Sequence, residues 1–315
     1  MIKIGKSNDI SHRFAKVIKN EATRNYDLYL MILPALILLG IFAYAPMYGV
    51  QIAFKDFMPA NGILGSEWVG LEHFLRFFSS FNFVRIMRNT IVLSLYSLIV
   101  NFPLTIVFAI MINEVRAKWF KKTIQMVSYA PYFISTVVLV GMIQVFFHQR
   151  TGLVNILLMK LGFEPATYLT SATAFPHLYI WSGLWQGIGY SAVIYIAALS
   201  GIDPQLHEAA IIDGAGKLHR IWYVDLPGIM PTATIMLILN MGHILNVGFE
   251  KVYLMQNPLN LETSQIISTH VYEVGIQGME YSFSAAIGLF QSIANLILLI
   301  GVNTLCKKLS ETSLF

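Results

Sequence analysis

The sequence is poor in charge and almost free of cysteine. Only 12% of its 315 residues are charged, about half the share in an average soluble domain, and 56% are hydrophobic. This composition indicates that lipid is the main solvent of the chain. The single cysteine, Cys306, excludes an internal disulfide framework and a metal site built from several cysteines. We interpret it as a small hydrophobic side chain that faces the membrane.

Strand-like alternation of apolar and polar residues is also absent, which argues against a membrane β-barrel. Six apolar runs are instead long enough to cross the hydrocarbon layer as helices, each of which needs about 20 residues. They cover residues 28–54, 90–112, 124–147, 176–200, 228–248 and 283–306. We find no internal repeat, low-complexity segment or separate soluble domain. The predicted fold class is therefore an all-α polytopic membrane protein with six transmembrane helices.

The basic residues predict how these helices are oriented. A formal net charge of +4 could favour nucleic acid, but in a membrane protein basic loops set the topology instead. Six spans place both termini and the loop at 201–227 on one side of the membrane. That side carries 14 of the 21 Lys and Arg: six before residue 28, four at 116–122, and Lys217, Arg220, Lys307 and Lys308. By the positive-inside rule we expect this side to be cytoplasmic.

The first 27 residues form a basic tail rather than a cleavable signal peptide, because the apolar run that follows is too long for a signal sequence. Ile10, Phe14, Val17 and Ile18 recur at helical spacing, and basic residues fill the opposite face. This tail fits either a short amphipathic helix on the membrane surface or a disordered basic segment.

Proline and glycine interrupt several of the spans, for example at Pro34, Pro103 and Pro131. The backbone groups that a proline frees need partners in protein or water rather than in lipid. The pattern favours helices that pack around a cavity, although each proline alone is also compatible with a simple kink against a neighbouring helix.

The polar loop between the fourth and fifth runs contains signals for two short helices. Asp203 suits an N-cap, Pro204 suits the first helical position, and Gly214 and Gly216 break the helix that follows. A second amphipathic piece comes next, and we expect Pro227 to end it. Its apolar positions are Leu218, Ile221, Trp222, Val224 and Leu226. The loop therefore predicts a rigid protruding helix that inserts into a partner.

Residues in this loop resemble the EAA motif of ABC-importer permeases, with the family's spacing. They are Glu208-Ala209-Ala210, Asp213-Gly214-Ala215 and Leu226-Pro227. More broadly, residues 88–306 resemble the permease domain of carbohydrate importers of the maltose-transporter class. Residues 27–57 and the segment SYAPYFIS at 128–135 resemble a narrower branch, which imports complex oligosaccharides such as alginate, pectin-derived or N-glycan fragments.

The resemblance implies a type I ABC importer permease fold with a cytoplasmic EAA coupling helix. It divides the chain into the tail (1–27), the first helix with an external loop (28–85) and the permease transmembrane domain (86–309), which includes the coupling loop (201–227). It assigns contact with an ATPase to Glu208, Ala209, Ala210, Asp213, Gly214, Ala215, Leu226 and Pro227.

The resemblance also implies a set of partners. These are a second homologous permease subunit, which forms a heterodimer with this chain, two ABC ATPase subunits, an extracellular or periplasmic sugar-binding protein and an oligosaccharide. The chain would be a multi-pass protein of the bacterial cytoplasmic membrane with both termini in the cytoplasm. It would itself be non-catalytic and bind no cofactor, metal or nucleic acid, since ATP and Mg belong to the ATPase subunits.

Two patterns in the loop suggest a different kind of binding site, but neither motif is complete. The string GAGK at 214–217 fails as a phosphate loop, because Ile211 and Leu218 stand where that motif needs Gly and Ser or Thr. His207, Glu208, Asp213 and His219 could suggest a metal site. The glycine turn separates the two histidines, however, so they lack the i, i+4 spacing of helical metal ligands.

Polar residues within the spans are candidates for contact with the sugar. Amides, hydroxyls and aromatic faces suit a sugar, and helical spacing would place Asn240, His243 and Val247 on one face with Asn246 beside it. Hydrogen bonds between helices are the alternative role. The candidates are Asn240, His243, Asn246, Gln186, Tyr190 and Gln144.

Two other classes of protein fit the sequence less well than a permease. A secondary transporter or channel that works alone would need ion-coupling charges in mid-membrane, and the six runs contain almost none. A membrane-embedded enzyme would need a motif such as H-E-x-x-H or G-x-S-x-G, and neither is present.

Overall fold

The computed structural model describes residues 25–310, so the tail residues Ile10 to Ile18 lie outside the described part. The described residues divide into two compact units, which meet between Val69 and Gly70.

The first unit is a long apolar helix followed by a short hairpin. The helix consists of an α-helical part, Tyr26–Leu39, a π-helical turn, Gly40–Tyr44, and a 3-10 segment, Ala45–Phe54. Two strands, Lys55–Asp56 and Glu67–Trp68, then pair antiparallel, and a short helix, Gly62–Gly65, lies between them. The rings of Phe54 and Trp68 stack with centroids 5.6 Å apart and hold the base of this hairpin.

The described part of the second unit consists of helices joined by turns and loops. Its α-helices are Glu72–Ser79, Phe83–Asn113, Lys118–Tyr129, Thr136–Phe146, Leu153–Lys160, Ala174–Ser200, Pro204–Ile212, Lys217–Arg220, Leu226–Gly242, Phe249–Met255, Leu261–Ser264, Ile267–Tyr272 and Tyr281–Ser310. A 3-10 turn at Ala130–Phe133 and π-helical turns at Ile221–Asp225 and Glu273–Gln277 join some of them.

Two π-helical turns precede a proline at the same offset. Gly40–Tyr44 ends two residues before Pro46, and Ile221–Asp225 ends two residues before Pro227. A proline ring collides with the carbonyl four residues earlier and offers no N–H to it. The wider π turn moves that carbonyl away, so the helix continues through the proline.

The long helices of the second unit pack closely side by side. Phe83–Asn113 runs along Ala174–Ser200, and Leu226–Gly242 packs against both Ala174–Ser200 and Tyr281–Ser310. One buried cluster, around Ala109, Tyr195 and Ile229, lies at one end of this bundle. A second cluster, which includes Leu93 and Ile180, lies at the other end, about 24 Å along the helix from Ala109 at 1.5 Å per residue.

The higher of two possible counts of membrane spans, six, agrees with the predicted number. Within residues 25–310, four helices are long and apolar enough to cross a membrane: Tyr26–Phe54, Phe83–Asn113, Lys217–Gly242 and Tyr281–Lys308. Two bent pairs raise the number to six if each is one span. They are Lys118–Phe133 with Thr136–Phe146, bent by 97°, and Ala174–Ser200 with Pro204–Ile212, bent by 70°. The all-α polytopic fold class is confirmed.

The predicted span 228–248 is wrong at its end, because the helix stops at Gly242 and a turn follows. Side chains of the last helix stabilise this break. The backbone N–H of Leu245 donates to Asn295 Oδ1 at 3.1 Å, and Gln291 Nε2 donates to the Leu245 carbonyl at 2.8 Å. Non-helical backbone is tolerated at membrane depth only where protein provides such partners.

The predicted second short helix of the loop also differs, since Pro227 does not end it. Lys217–Arg220, the π turn and Leu226–Gly242 form one continuous helix, in which Pro227 occupies the first turn of the last part. Ile221 and Leu226 pack against the Tyr195 cluster, whereas Leu218 and Trp222 are exposed. Only part of the predicted apolar face therefore packs on the bundle.

Candidate functional site

The helix Pro204–Ile212, here called the loop helix, begins as its sequence predicts. The Asp203 carboxylate accepts a hydrogen bond from the Gln205 backbone N–H at 2.9 Å, and Pro204 occupies the first turn. This cap satisfies one of the donors that a helix start leaves unpaired. A short connection, bent by 70°, separates the loop helix from Ala174–Ser200, so it leaves the bundle as an independent element.

Gly214 ends the loop helix with a backbone conformation that suits glycine. Its φ is +80°, the N–H of Gly214 donates to the Ile211 carbonyl at 3.0 Å, and the N–H of Ala215 donates to the Ala210 carbonyl at 2.8 Å. Such closing bonds are typical of a glycine-terminated helix. The GAGK string is therefore a helix end and a short extended link, with Lys217 starting the next helix.

The surface of the loop helix is open and partly apolar. No residue from Pro204 to Ile212 is buried, and Ile212 exposes 85% of its surface, with Leu206 and Ile211 also exposed. Exposed apolar residues grouped in this way mark an interaction surface. Of the predicted contact residues, Glu208, Ala209, Asp213 and Gly214 are exposed, while Ala210 and Ala215 are half-buried.

The other predicted contact residues lie at the base of the loop and not on its outer surface. Leu226 is half-buried against the Tyr195 cluster, and Pro227 stands exposed in the first turn of Leu226–Gly242. His207 on the loop helix reaches Asp225 beside them, with His207 Nε2 3.5 Å from Asp225 Oδ1. The structure thus separates an exposed contact surface from a base that holds it.

A second candidate site is a cavity between the long helices, with a smaller polar part and a larger, mostly apolar part. It consists of two adjoining parts of about 200 Å³ and about 730 Å³, which share Asn101, Phe102 and Asn240. The smaller part is also lined by Ser94, Ser97, Tyr179, His243 and Asn246, and the larger by Gly183, Gly187, Tyr190 and Tyr195. Among the residues that the structure describes, no Asp, Glu, Lys or Arg lines either part.

Three predicted path residues meet in the smaller part, although not as predicted. Asn240 lies in the last turn of its helix, His243 is the residue that caps it, and Asn246 follows in the turn. They therefore share no helical face, and the turn itself brings them to one cavity. Tyr190 lines the larger part and stacks on Tyr132 with ring centroids 4.0 Å apart.

Two predicted path residues lie elsewhere. Gln186 Nε2 donates to the Ile134 carbonyl at 2.8 Å, at the break between Ala130–Phe133 and Thr136–Phe146. It thus has the alternative role of an interhelical hydrogen bond. Gln144 lines a different cavity of about 570 Å³, together with His148, Tyr168 and Asn257.

Asn246 has both roles predicted for polar residues in the spans: it lines the cavity and forms hydrogen bonds between helices. Its Oδ1 accepts hydrogen bonds from Gln291 Nε2 at 2.9 Å and from Asn295 Nδ2 at 3.1 Å. These bonds connect the turn at 243–248 to the last helix. The Asn246 oxygen is therefore occupied, and only its Nδ2 can serve a ligand in the cavity.

Asn101 lines both parts of the cavity but was not among the predicted path residues. Its Nδ2 donates to Ser97 Oγ at 2.7 Å, while its Oδ1 is buried and has no hydrogen-bond partner in the described structure. A buried acceptor without a partner is costly unless something binds there. The sequence does contain a signal for this residue, an amide side chain inside the second apolar run and two residues before Pro103.

The cavity offers amides, hydroxyls and aromatic rings, which suit a ligand rich in hydroxyl groups. Among the described residues no group of three or more His, Cys, Asp or Glu is arranged to hold a metal ion. Hydrogen bonding and stacking are therefore the chemistry that this site can offer.

Comparison with known proteins gives a consistent result. The model of the family described as binding-protein-dependent transport system inner membrane component matches residues 101–311. The chain is 42% identical to Protein LplB of Bacillus subtilis over 93% of this chain and 92% of that protein. It is 43% identical to the polygalacturonan/rhamnogalacturonan transport system permease protein YteP of the same organism, over 91% and 90%.

The fold is similar to that of two solved chains. One belongs to a bacterial ABC transporter involved in the import of the acidic polysaccharide alginate, with a TM-score of 0.86, 37% identity and coverage of 93% and 99% of the two chains. The other belongs to a bacterial alginate ABC transporter in complex with an alginate pentasaccharide-bound periplasmic protein, with a TM-score of 0.87, 37% identity and coverage of 94% and 99%.

Proposed function

We propose that this chain, which belongs to the family of binding-protein-dependent transport system inner membrane components, is a permease subunit of an ATP-driven importer of oligosaccharides. The observation that carries the proposal is the exposed loop helix with EAA spacing on a fold of this family. A subunit that is driven by a cytoplasmic partner needs such an exposed helix as a docking element.

The partners follow from the same features. A sugar-binding protein delivers the oligosaccharide on the outer side, and a second homologous permease completes the path. Two ATPase subunits dock on the loop helices of the two permeases from the cytoplasm. The relatives and the solved complex with a periplasmic protein support this arrangement.

The orientation that we propose places the loop helix and both termini in the cytoplasm. The positive-inside distribution of Lys and Arg supports it, since 14 of the 21 basic residues belong to that side. The cavity then lies between two apolar clusters, the Tyr195 cluster towards the cytoplasm and the Leu93 cluster towards the outside.

The mechanism that we propose is alternating access. ATP binding brings the two ATPase subunits together, and each loop helix transmits this movement to its bundle through the base at Asp225 and Leu226. The two permeases then rotate as rigid bodies and open the cavity to the outside. ATP shifts this equilibrium because the ATPase dimer contacts the loop helices differently in the two states.

The chain itself supplies the path and no hydrolytic chemistry. Amides such as Asn101 and Asn240, together with the stacked ring of Tyr190, provide weak contacts that a sugar can form and release. ATP and Mg bind to the ATPase subunits.

Reconstitution of the purified complex tests the proposed function. The chain is co-expressed with its neighbouring permease, ATPase and binding protein and incorporated into proteoliposomes with ATP inside. We expect uptake of labelled oligosaccharide that requires ATP and the loaded binding protein. Uptake by this chain alone, without ATP, would contradict the proposal.

A further inference from the structure

A patch of basic residues surrounds an aromatic pair just before the third predicted span. Arg116, Lys118 and Lys122 are exposed, and so are Trp119 and Phe120, which leave 73% and 46% of their surfaces uncovered. The two rings contact each other edge to face, with centroids 5.7 Å apart. We call these five residues the basic patch.

No ion pair in the described part of the chain neutralises the basic patch. The two ion pairs within residues 25–310 both lie elsewhere, and Glu114, the only acidic residue between positions 101 and 163, forms none with the patch. Lys118 does not stabilise its own helix, Lys118–Tyr129, because the first turn of a helix favours acidic side chains and disfavours cations. The fold of the chain therefore gives these cations no role.

Contacts of the same helix place the basic patch at the boundary of the membrane. Lys121 Nζ donates to Asn113 Oδ1 at 3.2 Å, and Asn113 is the last residue of its spanning helix. Seven residues later, Ser128 lies against the backbone of Gly189, near the middle of Ala174–Ser200. The helix therefore rises from the end of one span to the middle of another, over about 10 Å along its axis.

An apolar face of this helix points away from the bundle. Trp119 and Met126 are seven residues apart, as are Phe120 and Val127, so these four side chains lie on one side of the helix. Met126 and Val127 expose 65% and 64% of their surfaces. Ser128 lies on the opposite side, where the helix packs on its neighbour. The apolar face is thus open in this chain.

An anionic phospholipid matches this combination of charge and apolar surface. Lys122 comes one turn before Met126, so the cations lie at the level of the headgroups and the apolar face lies deeper, beside the acyl chains. Tryptophan is enriched at this interface, and clusters of cations next to a span attract anionic lipid. An acidic protein surface would pair with the cations but leave the apolar face uncovered, and an apolar surface would do the reverse.

We propose that the basic patch binds an anionic phospholipid at the end of the span. Arg116, Lys118 and Lys122 hold its phosphate, and Met126 and Val127 contact its acyl chain. The proposal goes beyond the transport function, and its test involves no sugar. A general attraction of basic residues to the membrane, by contrast, would give the same preference for anionic lipid at every basic span end.

Quenching by brominated lipids tests this site in the assembled permease–ATPase complex. A bimane label is attached at Ala130→Cys, which lies exposed on the apolar face, after Cys306→Ser and removal of the other cysteines of the complex. The complex is placed in phosphatidylcholine nanodiscs that contain either brominated phosphatidylglycerol or brominated phosphatidylcholine at the same mole fraction. Since each cation near an anionic lipid contributes about fivefold, we expect phosphatidylglycerol to be preferred about 25-fold or more.

Charge variants locate the preference. Lys118→Gln and Lys122→Gln should each lower it about fivefold, and the double variant should leave a preference of about fivefold or less. Lys307→Gln with Lys308→Gln is the matched control, because it removes two exposed lysines at the end of another span. That control should keep the wild-type preference. All variants should unfold at the wild-type temperature in pure phosphatidylcholine, since the substituted side chains are exposed.

Four results would each overturn the proposal. Absence of quenching by both lipids would show that another subunit covers the face, and equal quenching would show that lipid is present without selection of its charge. A preference that survives the Lys118 and Lys122 double variant would place the site elsewhere. An equal loss in the Lys307 and Lys308 variant would reduce the effect to general attraction. The proposed transport function would stand in all four cases, because the uptake assay tests it separately.

Discussion

His207 Nε2 lies 3.5 Å from Asp225 Oδ1 and joins the exposed loop helix to the helix that continues into the bundle. The Asp225 side chain is 1% exposed, and neither of its carboxylate oxygens has a hydrogen-bond partner in the described structure. The loop helix itself has no buried residue. This contact therefore bears on how firmly the loop helix is held.

Removing the histidine should loosen the loop. We expect His207→Ala to cost about 1–3 kcal/mol of loop stability, because it leaves a buried polar group without its partner. Protease cleavage within residues 201–227 of the purified complex measures this loosening. The double variant His207→Ala with Asp225→Ala should recover much of the loss, because removing the carboxylate removes the buried group that needs a partner. Equal cleavage of wild type and His207→Ala would show that the contact does not hold the loop.

Gly214 should not tolerate a branched side chain. Gly214→Val places a β-branched residue at a φ of +80°, which such residues avoid, so we expect the end of the loop helix to change shape. Sugar-stimulated ATP hydrolysis should fall to the basal rate, while the affinity of the binding protein for sugar stays unchanged. Gly216→Ala is the matched control, because Gly216 has a φ of −68° and open space around it. Normal stimulation in Gly214→Val would remove the coupling role of this loop.

A charge on the open surface of the loop helix should weaken ATPase docking. Ile212 is 85% exposed and makes no buried contact, so Ile212→Asp should leave the thermal unfolding of the chain unchanged. If the ATPase covers this side chain, the carboxylate would be buried unpaired, and we expect binding to weaken about tenfold or more. Co-purification of the ATPase measures the effect. Leu161→Asp, at an exposed leucine outside the loop, should have no effect on ATPase recovery. Equal recovery of the ATPase with both variants would argue against docking at Ile212.

Alanine substitutions at Asn240 and Asn246 should have different effects, the first on transport and the second on stability. Asn240 lines both parts of the cavity, so Asn240→Ala should lower sugar uptake with an unchanged unfolding temperature. Asn246→Ala removes the acceptor of two hydrogen bonds, from Gln291 and Asn295, and should destabilise the bundle by about 1–3 kcal/mol. Uptake assays and thermal unfolding of both variants check this. A stable Asn246→Ala protein would contradict the bracing role of its oxygen.

Local signals in the sequence predicted those parts of the fold that depend on neighbouring residues. Asp203 and Pro204 start the loop helix and Gly214 ends it as expected, since a cap and a left-handed glycine act within a few residues. The end of the helix at Gly242 escaped prediction because its cause lies about 50 residues away. There Gln291 and Asn295 supply the partners that let the backbone leave the helix at Leu245.

Hydropathy, charge distribution and the EAA spacing by themselves determined the class of this protein: an all-α membrane subunit with a protruding loop helix. Hydropathy and charge add up along the chain, and the EAA motif is a spacing within it, so the sequence alone contains all three. Hydropathy decides the fold class because a chain can cross lipid only as long apolar helices or as a closed barrel. Only the tertiary structure decided which polar residues meet. It brought Asn101 and Asn240 to one cavity and assigned Gln186 to a helix break. Such contacts join residues far apart in the chain, and no local pattern encodes the distance between them.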